Sequence, residues 1–144
     1  MRFAKEASII MQHDEFIGHV QHRARLGSRG EAENATRATL QTLAERLAGG
    51  AAENLASELP PHIAGYLLGH PDTEVAEEMT LHEFFQRVSE REGVDLPKSI
   101  HHARAVIDVL QEAVSPGQMQ NIRAQLPDEW DPLFESGSEG EMDL

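Results

Sequence analysis

The chain has 144 residues, with 25 Asp and Glu against 12 Lys and Arg for a formal net charge of -13, and no cysteine. That length leaves room for one ordinary domain or for two halves too small to be comfortable alone, and the missing cysteine excludes disulfides, thiolate zinc sites and cysteine nucleophiles. A polyanionic surface without a basic cluster repels a phosphate backbone, so direct nucleic-acid binding is not expected.

Residues 1–11 read as an N-terminal extension. MRFAKEASII is interrupted by Lys5, Glu6 and Ser8, and no run in the chain reaches the roughly 18 to 20 apolar residues that span a bilayer. The expectation is a soluble cytoplasmic protein without a membrane partner.

Residues 12–68 carry helical apolar spacing. Phe16, Val20 and Ala24 mark one face, then Thr36, Leu40, Leu43 and Leu47 mark another at steps of four, three and four. Ser28-Arg29-Gly30-Glu31 spells a capping box, in which hydroxyl and carboxylate satisfy orphan amides at a helix start. Gly49-Gly50 ends the long helix, because glycine accepts a left-handed turn. Leu55 and Leu59 then lie one turn apart on a short helix that Pro60 ends. The half thus reads as helix, loop, long helix, tight turn, short helix and a final turn.

GHPDTEVAEEM, residues 69–79, is an acidic linker. Residues 80–135 repeat the plan, with a capping box at Thr80-Leu81-His82-Glu83, Phe84 and Val88 on the first face, and Ala103, Ile107, Leu110 and Val114 on the second. Asp95 stands where Ser28 did, with Pro97 just inside the helix, and Pro116-Gly117 stands where Gly49-Gly50 did. Residues 136–144 are acidic and poor in apolar content, and are expected to be disordered. No stretch alternates apolar and polar residues, so no strand is expected. The predicted fold is all-α: two tandem pseudo-repeats of about three to four helices each, packed into one helical bundle.

The pattern G-x-x-x-N-[LI]-x-x-x-L-P occurs in both halves and aligns Gly50 with Gly117, Asn54 with Asn121, Leu59 with Leu126 and Pro60 with Pro127. Upstream of it Arg37 matches Arg104 and Glu45 matches Glu112. Each of these polar residues sits beside a turn or a core stripe. The favoured reading is structural, with arginines and glutamates tying helices together and each asparagine bonding to a nearby turn or the other half; two equivalent docking points are the alternative.

F-[IF]-x-x-V, then A-T-R-A-T-L-Q-T-L-A-E-R-L with its counterpart H-A-R-A-V-I-D-V-L-Q-E-A-V, then the doubled G-x-x-x-N motif, resemble the family called domain of unknown function 2267 over about residues 12 to 135. The form looks like its haloarchaeal branch. The resemblance implies an all-helical duplicated fold and carries over no catalytic residues and no cofactor.

Eight histidines are the one feature that points towards an enzyme. His19 and His22, three apart, with Glu15 one turn before His19, are the candidate metal ligands of a metal-binding protein or metal-dependent enzyme. No H-E-x-x-H accompanies them, and the second half has Arg87 and Glu90 at the matching positions. The histidines, His101 and His102 included, read better as surface or interfacial residues. Nucleophile-elbow and phosphate-loop motifs are missing too. Trp130 and Phe134, with Leu133, are either interaction anchors or the closing staple of the second half, the staple being favoured. The charge balance suits a cytoplasm at molar salt, where a Debye length of about 3 Å screens carboxylate repulsion. The expected function is therefore a non-catalytic protein-interaction or structural module in a high-salt cytoplasm, its partner another protein or its own copy. A second alternative is an acidic partner for a basic nucleic-acid-binding surface.

Overall fold

The computed structural model describes residues 11–48, 50–69 and 76–135. The chain before Met11, Gly49 of the expected Gly49-Gly50 stop, residues 70–75 of the linker and the acidic tail lie outside them. The described residues form eight α-helices and one 3-10 turn, with no strand, and none of these helices is long and apolar enough to cross a membrane.

α1 (His13–Ala24) starts at Gln12, where Gln12 and Glu15 satisfy each other's backbone amides, and ends at Arg25 in the left-handed region with φ 57. α2 (Arg29–Glu45) starts at Ser28, whose Oγ accepts from the Glu31 amide at 3.2 Å. The reciprocal bond expected there is replaced: the Glu31 carboxylate accepts from the Gly27 amide, also at 3.2 Å. Gly50, with φ 81, supplies the left-handed reversal into α3 (Ala51–Ala56). Pro60 does not leave the first half in a turn. It is extended, and Pro61 at the first position opens α4 (Pro61–Leu68), where a missing amide is harmless.

Thr80 and Glu83 form the full capping box of α5 (Leu81–Glu92), which ends at Gly93. Asp95 caps α6 (Leu96–Ala113) through the Lys98 amide at 3.1 Å. The break after α6 differs from the expected one. Val114 and Ser115 are extended, and Pro116 and Gly117 already belong to the first turn of α7 (Pro116–Ala124). Gly117 therefore begins a helix where Gly50 makes a reversal, because the amide-free Pro116 lets the helix start without a left-handed residue. A 3-10 turn (Asp128–Trp130) then leads to α8 (Asp131–Phe134).

The expected stripes lie inside. Phe16, Val20, Leu40, Leu43, Phe84, Val88, Ala103, Ile107 and Leu110 are all fully buried, in one hydrophobic cluster that runs from Phe16 to Phe134. α1 packs on both α2 and α6, and α5 packs on both α6 and α2. Met11, placed by the sequence in the extension, packs against the edge of this core. Trp130 is fully buried and Phe134 nearly so. Neither presents an anchor to solvent: the Trp130 ring meets Phe84 at a tilt of 56° with centroids 5.1 Å apart, and the guanidiniums of Arg46 and Arg123 cover Trp130 and Phe134. His102 also departs from the surface reading. It is buried with its Nδ1 on the Glu92 carboxylate, so that each supplies the polar partner the other needs inside a core.

Candidate functional site

Of the polar residues that align in sequence, Glu45 and Glu112 tie helices together. Glu45, near the end of α2, receives Arg87 Nη1 at 3.1 Å and Arg91 Nη2 at 2.7 Å from α5. Glu112, near the end of α6, receives Arg23 Nη2 at 2.6 Å from α1, and the same guanidinium meets Asp108 at 2.9 Å. Arg104 is buried on α6 and donates to the Glu135 carbonyl at 3.0 Å; burial lowers its pKa, against the opposing pull of Glu135 and Asp108. Arg37 bonds within its own helix to Asn34 and Gln41. Leu59 and Pro60 are buried and Leu126 is partly so, while Pro127 is exposed. Asn54 and Asn121 are exposed. The bond found at the first of them is a backbone one, Asn54 O accepting from Ser57 Oγ at 2.7 Å, so the asparagine side chains do not hold the turns as expected. Water satisfies an exposed amide at no cost, which removes the pressure for such a bond.

The second polar cluster is of another kind. His13 is the first residue of α1, Glu33 lies on α2, and His62 and Tyr66 stand one turn apart on α4. His13 Nε2 is 2.9 Å from Glu33 Oε1 and 3.2 Å from Oε2. His62 Nε2 lies 3.7 Å from Glu33 Oε2 and 3.1 Å from the Tyr66 hydroxyl, which donates to the same carboxylate. The two imidazoles lie with centroids 4.8 Å apart and planes tilted by 37°, and Tyr66 meets the edge of His62. One ligand atom from each of His13, Glu33 and His62 lies within 4.8 Å of the others.

Burial raises the Glu33 pKa, but the hydrogen bonds from Tyr66 and His13, with the electrostatic pull of both histidines, outweigh it and hold the carboxyl below its usual value. Burial, then the bond to Glu33 and its charge, pushes the Tyr66 phenol well above its usual range, with Arg37 opposing. Phenol stays donor and carboxylate stays ionised acceptor. The cluster is half-exposed, with His62 open to solvent, so small solutes reach it.

Glu15, His19 and His22 do not make a comparable group. All three are exposed on α1, and Glu15 accepts from the Gln12 amide at 2.9 Å as half of a cap. His13, Glu33, His62 and Tyr66 were missed because they come from three helices, one of them unforeseen. The signal available was Pro60-Pro61 followed by Ile63, Ala64 and Leu67, a helix start and an apolar face.

A family model described as "Uncharacterized conserved protein (DUF2267)" matches residues 13–133. A comparison with curated proteins finds no match.

Proposed function

We propose, from the premise that this chain belongs to the DUF2267 family of uncharacterized conserved proteins, that it is a non-catalytic helical interaction or structural module built from two related halves and adapted to a cytoplasm at high salt. The observation that carries this reading is the use made of the shared polar residues. Glu45 pairs with Arg91 and Glu112 pairs with Arg23, each across the two halves. Arg23 and Arg91 are themselves 68 positions apart, and Glu45 and Glu112 are 67 apart. The same bond, made twice in opposite senses, supports both duplication and a structural role for charges that an enzyme would direct into a cleft. Lengths of 12 and 17 residues for α1 and α2, against 12 and 18 for α5 and α6, agree with it.

The partner is another protein or a second copy, met through an acidic surface that strong salt makes approachable. Sedimentation and thermal melting on one salt series test both parts. Between about 0.1 M and 3 M salt the melting temperature is expected to climb, and in native cytoplasm at its own ionic strength the chain is expected to sediment as a dimer or a defined complex. A flat melting temperature removes the high-salt reading, and a lone monomer at every concentration removes the interaction reading.

A further inference from the structure

We infer that His13, Glu33 and His62 form a site for one divalent transition-metal ion of the zinc class, held between α1, α2 and α4. Two imidazoles and one carboxylate are a donor set for such ions, and a three-ligand set leaves a fourth position for water or an incoming group. At metal–ligand distances of about 2.0 to 2.1 Å, ligand atoms around a tetrahedral ion stand roughly 3.3 Å apart. The separations of 2.9 Å from His13 Nε2 to Glu33 Oε1 and 3.7 Å from His62 Nε2 to Glu33 Oε2 lie on either side of that spacing, within a group that spans 4.8 Å. Rotation of the two imidazoles inwards, with loss of the protons they direct at Glu33 and Tyr66, admits an ion.

The surroundings fit as well. Tyr66 donates to Glu33 Oε2 and so fixes the carboxylate plane without occupying its remaining lone pairs.

A second observation is independent of the distances. At the offsets that relate the proposed halves, His13, Glu33 and Tyr66 correspond to Leu81, Ile100 and Leu133, and His62 to the exposed Glu129. Leu81 and Leu133 are buried and Ile100 packs against the core. At two of the three ligand positions, and at Tyr66, polar groups stand where the other half has aliphatic side chains. Contacts between α1 and α4 are sparse beside those each makes with α2, so an ion shared by His13 and His62 would tie together two helices that otherwise meet mainly through a third.

Equilibrium dialysis and calorimetry of the full chain with zinc, repeated with cobalt for its tetrahedral absorption bands, test the site. The expected result is one ion per chain, retained against excess magnesium, with at least tenfold weaker binding in His62→Ala and in Glu33→Gln and unchanged binding in His19→Ala. His62 is exposed, so its alanine variant is expected to fold, and circular dichroism checks this. Zinc should raise the melting temperature of the parent chain and not of those two variants. Absence of stoichiometric zinc, displacement by magnesium, binding that survives both substitutions, or binding lost in His19→Ala instead would each overturn the proposal. None of these outcomes bears on self-association, so the interaction reading stands or falls separately.

Discussion

Glu33 concentrates the chemistry of the first half in one carboxylate. It accepts from His13 and Tyr66 and lies within reach of His62, and its pKa in the folded chain is depressed below the ordinary 4.5. A group with a depressed folded pKa stabilises the fold above its unfolded pKa, and that contribution is lost as pH falls through the folded value. Acidification below about pH 4.5 should therefore remove stability that Glu33→Gln never had, so the gap between the parent and variant urea midpoints narrows from neutral to acid pH. Parallel midpoints across that range would contradict the assigned hydrogen bonds. Residue-level reading of the sequence found the caps at Ser28, Thr80 and Asp95 because such caps are local. It did not find the His102–Glu92 pair or the Glu33 cluster, whose members meet through the tertiary fold.

At the scale of elements, apolar periodicity located the long helices because each sustains its stripe over three or more turns. The shorter pieces depended on punctuation, and there one signal served two structures. Gly50 at φ 81 makes a reversal, whereas Gly117 lies in the first turn of α7, although the two align in sequence. Substitution separates them. Gly117→Ala should stabilise the chain by about 0.4–1 kcal/mol, since an unfolded-state freedom is removed and the new methyl meets no atom within 4 Å. Gly50→Ala should destabilise it by roughly 1–2 kcal/mol, the strain of a left-handed alanine. Equal urea midpoints for the two variants would show that both positions have the same backbone conformation. α4 escaped prediction for a related reason. Prolines at residues 60 and 61 end one helix and also start another, and the second meaning places His62 and Tyr66 beside Glu33.

Across the whole molecule, charge and core pull in different directions. A net charge of -13 on 144 residues repels itself at low salt, while one hydrophobic cluster holds the chain together from Phe16 to Phe134. A unit of about 55 residues is only marginally stable by itself, and α1 and α5 each rest on both long helices. A core shared in this way melts as one unit. Ile63 on α4 is fully buried, and α4 packs on α1, α2 and α3. Trp130, the single tryptophan, is fully buried beyond α7. Urea unfolding of Ile63→Ala, followed by Trp130 fluorescence and by helical circular dichroism, measures the coupling directly. A shared core predicts coincident transitions, both weakened by about 2–5 kcal/mol relative to the parent chain. A Trp130 transition left at its original midpoint while helicity is lost in two steps would contradict it.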